Sequence, residues 1–247
     1  MSRKQIYVIL TLLFVALGAA GGALLWGLQH VPTFYEEALA EQPDRDVRKD
    51  AAKKLVQRTL SLAEEIKRSD DWSEEFTQVQ VNAWLAEELE TKYAELVPKG
   101  VTDPRVKFVD DTILVGFRYS DDKYSGVISL RLRPRVVEPN RVAIEIQSIR
   151  AGAIPVPLQE ILDALSDDIH AEGWQIESRQ ANGNEVLVLH LDPEQVSQPV
   201  LEAVKVIEGK LQVAGTRRTQ VGRNGGNRSP RMANESSQSS AKPKLQR

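Results

Sequence analysis

The chain has 247 residues, 41% of them hydrophobic, a formal net charge of −3 and no cysteine. That length suits one ordinary domain with appendages. The missing cysteine excludes structural disulfides, thiolate zinc sites, cysteine nucleophiles and a cysteine-borne lipid anchor. The charge is lopsided: after Gly215 the tail carries eight Lys or Arg residues against Glu235 alone, a net +7, which leaves −10 for residues 1–214. An acidic body therefore bears a basic tail.

Residues 1–5 include Arg3 and Lys4 and precede an uncharged run, Ile6 to Leu28. A helix of that length spans roughly 34 Å, enough for the hydrocarbon core. Glu36, Glu37, Glu41, Asp44 and Asp46 follow it. The positive-inside rule then puts residues 1–5 in the cytoplasm, a transmembrane helix at 6–28, and the main domain outside. Trp26 and Tyr35 are expected at the outer interface. The rival reading is a signal peptide cut among Gly18–Ala23. It is disfavoured because the apolar run continues through Leu24, Leu25 and Trp26. Gly18 and Gly22 have the spacing that lets membrane helices pack closely, so a homodimer through them is open.

Residues 29–73 read as a juxtamembrane segment and a stalk helix. From Val47 to Arg68 the apolar residues Leu55, Leu62 and Ile66, with Thr59, fall three or four apart. The helix either stands as a stalk or packs on the domain. An exported α+β domain is expected over 74–215. Thr77 and Gln80 have capping-box spacing, with Phe76 and Val81 at the staple positions. This predicts a helix over 78–96 that buries Val81, Trp84, Leu85 and Leu89 and stops at Pro98 and Gly100.

The period then changes from 3.6 to 2. "RVKFVDD" and "TILVGFRYS" predict two strands joined at Asp110–Asp111. "SGVISLRLRPRV" sets Ile128, Leu130 and Leu132 against Ser129, Arg131 and Arg133. "RVAIEIQSI" sets Val142, Ile144 and Ile146 against Ala143, Glu145 and Gln147. The pattern is an antiparallel meander with one wet face. Gly152, Pro155 and Pro157 stop the sheet, since proline donates no ladder hydrogen bond. Pro157 suits a first helical turn. Leu158, Ile161, Leu162, Leu165 and Ile169 then line one helical face. "WQIESRQ" and "EVLVLHL" form a hairpin through Asn182–Gly183. The second strand is apolar on both faces, Val186 and Val188 on one and Leu187, Leu189 and Leu191 on the other. A last hairpin turns at Glu208–Gly209. Residues 216–247, rich in Gly, Asn, Ser, Gln and Arg, read as a disordered basic tail.

The succession "FTQVQVNAWL", "RVKFVDDTILVGF", "SGVISLRLRPRV" and "VAIEIQSIRAGAIPVPLQEIL" resembles the YpmS-like family of bacterial envelope proteins. Val81–Asn82, Pro134-x-Val136 and Gly152-x-Ile154-Pro155 stand at the matching places, and the likeness covers residues 74–192. It implies one N-terminal membrane helix and an exported α+β domain, and together with the alternation above the expected fold is helices packed on a curved antiparallel sheet. It brings no catalytic residues. More remotely, the arrangement is similar to lipid-binding domains of the LmeA type, which implies an apolar groove for an acyl chain.

No G-x-S-x-G, P-loop or G-x-G-x-x-G motif occurs. Asp167 and His170 are three apart, but no further ligand accompanies them, so a helix end is expected there and no metal site. Asp110–Asp111 and Asp121–Asp122 read as turns. Neither an enzyme nor a cofactor is expected. Export argues against nucleic acid as a partner of the tail. The apolar surplus gives the leading expectation: non-catalytic binding of membrane lipid in a groove between the sheet and the Leu158–Ile169 helix. Its candidate lining residues are Trp84, Leu158, Ile161, Leu162, Leu165 and Val188. The alternative is a scaffold that binds another envelope protein, and a hydrolase comes last. The expected location is the bacterial cytoplasmic membrane.

Overall fold

The computed structural model describes residues 26–122, 124–157, 175–181, 184–191 and 197–219. The chain is α+β with few helices and two antiparallel sheets. Only 26–28 of the expected membrane helix falls among the described residues, as one helical turn. The expected Leu158–Ile169 helix lies outside them. Among the described residues no helix is long and apolar enough to cross a membrane.

Helix α1, Thr33–Ala40, precedes the long helix α2, Arg45–Arg68. The short strand β1, Asp71–Thr77, leads into α3, Gln78–Trp84. The larger sheet contains β2 (Val101–Val109), β3 (Thr112–Ser120), β4 (Ser125–Glu138), β5 (Arg141–Ala151), β6 (Ile154–Pro155), β7 (Gln175–Ala181) and β8 (Asn184–His190). Its order is β2-β3-β4-β5-β8-β7, with β6 folded back on β5. Strands β9 (Ser197–Ile207) and β10 (Lys210–Thr219) form a second sheet of order β1-β10-β9.

Local chemistry accounts for the joints. Asp110 and Asp111 take φ of 30° and 61°, the left-handed pair that a two-residue hairpin needs. Gly209, at φ 69°, closes the β9–β10 turn. Thr77 accepts from the Gln80 N–H while the Gln80 side chain accepts from the Thr77 N–H, so the capping box forms as its spacing predicts. The helix expected over 78–96 forms, but α3 is only its first, regular part. It passes at Leu85–Leu89 into a π-helical turn and ends in a 3-10 turn at Ala94–Leu96. Its buried residues are Gln80 and Ala83 rather than the large apolar ones. Ala83 meets Ala51 and Ala52 of α2, and three alanines let the two helices approach closely. The long helix is therefore packed on the domain and is not a free stalk.

Helix α3 also closes an edge. β2 ends the larger sheet, and an open edge invites pairing with other chains. Asn82 Nδ2 donates to the Val106 carbonyl at 2.9 Å, and its Oδ1 accepts from the Val106 N–H at 2.8 Å. Gln78 Oε1 accepts from the Phe108 N–H at 3.0 Å, and the Phe108 carbonyl accepts from Gly209 at 3.0 Å. Two side-chain amides and one turn thus stand in for a missing strand.

The inner face of the larger sheet holds the core. Ile128, Ile146, Ile149 and Ala151 are buried there, with Phe117, Leu130, Leu132, Leu187 and Leu28 packed on them. The other face is not simply wet. Ala143, Val186 and Val188 form a second buried cluster on it. The alternation in "RVAIEIQSI" marked Ala143 as exposed, yet it is only 1% exposed. A register shift at Arg131/Leu132 lets Ile149 and Ile146 serve the same face.

Tyr35 departs most from expectation. It is fully buried, with no exposure, and is not an interface residue. Its ring fills the space that a side chain would occupy at Gly116, where an added Cβ would lie 2.7 Å from it. Its hydroxyl donates to the Asp103 carbonyl at 2.9 Å, at a bulge where Asp103 takes φ of 51°. Burial, then the Asp103 charge, raises the phenol above its ordinary value. A raised phenol pKa means stability that is complete below about pH 10 and lost as pH climbs through the folded-state value. Tyr119 and Tyr124 are raised as well, mainly by burial. Tyr35→Phe is therefore expected to cost about 1 kcal/mol at neutral pH and to remove only part of the alkaline decline. Denaturation midpoints measured across the alkaline range test this, and an unchanged slope in the variant would count against it.

Candidate functional site

The six groove candidates do not meet among the described residues. Leu158, Ile161, Leu162 and Leu165 lie outside them. Trp84 packs against the alanines of the α2–α3 contact and, at 5.6 Å between ring centroids, against Tyr93. Val188 belongs to the Ala143–Val186 cluster on β8. Strands β3, β4 and β5 stand between β2, where α3 sits, and β8. Four strand spacings make that roughly 19 Å. Trp84 and Val188 therefore belong to separate clusters.

Two of the concavities built from described residues are large enough for a small ligand. The first, about 450 Å³, is a shallow saddle on the three-stranded sheet. Ser73, Ala203 and Ala214 share one register row, and Glu75, Gln212 and Lys205 share another. Glu75 is already engaged, accepting from Gln212 at 3.0 Å and facing Lys210 at 2.8 Å. Those two contacts, Lys210 first, hold its carboxyl below the usual range. Glu74 is held by Arg58 at 2.6 Å, so both carboxylates of the saddle are already engaged.

The second, about 370 Å³, opens where the uncharged run ends. The helical turn at 26–28 is seated directly on the larger sheet. Leu28 packs in the core cluster, and Tyr124 donates to its carbonyl at 3.4 Å. Ala153 donates to the Gly27 carbonyl at 2.8 Å. Gly152, at φ 60°, permits that approach, since a Cβ there would lie 2.3 Å from the Gly27 oxygen. The chain then crosses to the outer face. His30, Pro32 and Phe34 roof the cavity, and Leu114, Ser129, Arg131, Ser148 and Arg150 form its floor. The β4–β5 register sets Ser129 opposite Arg150 and Arg131 opposite Ser148. Two guanidinium groups and two hydroxyls therefore share one patch.

Sequence reading placed Arg131 on a wet strand face and stopped there. The alternation was visible, but the roof that makes a cavity of it comes from residues about a hundred positions earlier. His190 lies 3.4 Å from Glu177 but faces no nucleophile in the described contacts. Among the described residues no three of His, Cys, Asp and Glu gather to hold a metal ion. No family model, no curated protein and no solved structure matches the chain.

Proposed function

We propose that the chain is a single-pass protein of the bacterial cytoplasmic membrane whose exported α+β domain binds lipid without catalysing a reaction. Residues 6–28 form the anchor on this reading, 6–25 crossing the hydrocarbon and 26–28 seated on the domain, and the N-terminus faces the cytoplasm. One observation carries it. Leu28, the last residue of the uncharged run, is packed into the sheet core, and a cavity of about 370 Å³ opens beside it. A domain held this way has no slack between anchor and fold. Its cavity would sit within the headgroup layer, which adds about 5–8 Å outside the hydrocarbon core. The cavity volume is in the range of small-ligand sites.

The test is native mass spectrometry of the full chain purified in mild detergent. A fragment starting at residue 45 is unsuitable, because it lacks Tyr35 and the cavity roof. A stoichiometric phospholipid is the expected result. A folded, empty protein that stays in the membrane would instead favour a scaffold for another envelope protein.

A further inference from the structure

On the outer face of the larger sheet, three cations are each matched by a carboxylate. Lys107 lies 2.7 Å from Glu37, Arg133 lies 3.2 Å from Asp111, and Arg118 lies 3.7 Å from Asp103. Arg131 and Arg150 share that face and have no hydrogen bond or ion pair among the described residues. Arg135 is also unpaired but does not line the cavity. Arg131 and Arg150 stand diagonally across one antiparallel pair, so their Cβ atoms are about 7 Å apart or less. Like charges that close repel, and a single anion seated between them relieves the repulsion.

The rest of the cavity narrows the kind of anion. Guanidinium forks match phosphate oxygens in a bidentate way. Ser129 and Ser148 add hydroxyl donors. Phe34, Pro32 and Leu114 add an apolar wall on the same cavity. The site thus combines a phosphate grip with a surface for hydrocarbon, directly beside Leu28. We propose that this cavity binds the phosphate of an anionic phospholipid headgroup in the outer leaflet, a step that rests on the reading of 6–28 as the membrane anchor.

The experiment uses the full chain reconstituted in phosphatidylcholine vesicles doped with phosphatidylglycerol. Detergent release followed by native mass spectrometry reads which lipid stays bound. The wild type is expected to retain phosphatidylglycerol over phosphatidylcholine by about tenfold or more. Arg131→Gln with Arg150→Gln is expected to abolish that preference, and the paired lysine substitutions to keep part of it. Both arginines are exposed, so the glutamine variant is expected to melt where the wild type does. A glutamine variant that keeps the full preference overturns the proposal. So does displacement of the lipid by soluble glycerol 3-phosphate at equal affinity, because the occupant is then a free phosphate ester. Extraction with alkaline carbonate separates the two levels of failure. Release of the chain from the vesicles sinks the anchor reading and the proposal together. A chain that stays in the bilayer without a lipid preference sinks the cavity assignment alone.

Discussion

Replacing Gly215 by alanine is expected to lower the unfolding free energy by about 3 kcal/mol, the upper part of the range for overpacking. Gly215 sits at a register shift in β10, beside Ala214, and pairs with Trp72 on one side and Leu201 on the other. Its backbone is not left-handed, so conformational freedom is not the reason for glycine there. Space is. A Cβ would lie 2.0 Å from the Val200 carbonyl oxygen and 2.4 Å from the Trp72 ring. The tryptophan could turn away, but the Val200 oxygen is backbone in the neighbouring strand and can move only by opening the β9–β10 ladder. Trp72 is 7% exposed, and its indole N–H reaches the Thr216 carbonyl at 3.4 Å. The clash therefore acts on the three-stranded sheet as a whole. Gly209→Ala serves as the comparison. That glycine has nothing within 4 Å of a built Cβ but a φ of 69°, so its cost is conformational only, about 1 kcal/mol. Urea denaturation of the full chain, read by tryptophan emission, separates the two. Equal losses at both positions would show that the close approach at Gly215 is not tight.

Much of the fold was legible where the determinants are local. The capping box at Thr77 and Gln80, the Asp110–Asp111 turn and the Glu208–Gly209 turn depend on residues a few positions apart, and each forms as expected. The period-2 runs became strands for the same reason. β1 could not be read this way. "DWSEEFT" has no alternation of apolar and polar residues. It is a strand because β10, some 140 positions later, pairs with every one of its residues. Pairing with β9 carries β10 on to Thr219, so Arg217, set 3.2 Å from Asp70, belongs to the folded domain and not to the tail. Asn82 reads as a family motif in the sequence but acts as a surrogate strand edge, which requires β2 to be in place. Tyr35 looked amphipathic beside a membrane run, and only the gap at Gly116 shows why it is buried. The groove candidates came from an apolar surplus. Trp84 turns out to be taken up by the α2–α3 contact, an outcome that helical periodicity alone cannot separate from a ligand wall.

The second large loss is expected at Asn140, in the β4–β5 turn, where the two sheets meet. Asn140 takes φ of 62°. Its Oδ1 accepts from the Leu201 N–H at 2.7 Å, and its Nδ2 donates to the Pro199 carbonyl at 3.2 Å. Its backbone N–H donates to the Leu201 carbonyl at 3.1 Å, and its carbonyl accepts from Leu191 at 2.8 Å. β9 is an edge strand of the smaller sheet, and this one residue satisfies three of its backbone groups. Asp111 satisfies a fourth, donating to Val206 at 3.1 Å. Asn140→Ala removes both side-chain bonds and leaves a β-carbon in a left-handed conformation. The unmade bonds cost about 1–3 kcal/mol and the dihedral about 1 kcal/mol, so a loss of about 2–4 kcal/mol is expected. Asn140→Gly removes the same bonds but tolerates the dihedral, and is expected to lose less by that last increment. Asn140→Asp keeps the acceptor for Leu201 and turns a carboxylate toward the Pro199 carbonyl, which isolates the donor half. Because the backbone bond to Leu201 survives all three changes, β9 should loosen locally before the domain unfolds. Hydrogen exchange at Leu201 should rise in the alanine and glycine variants, while the amides at the far end of the strand, where Asp111 donates to the Val206 carbonyl, change less. Uniform acceleration along β9 would mean that the strand is held as one unit and that Asn140 is not its particular clasp.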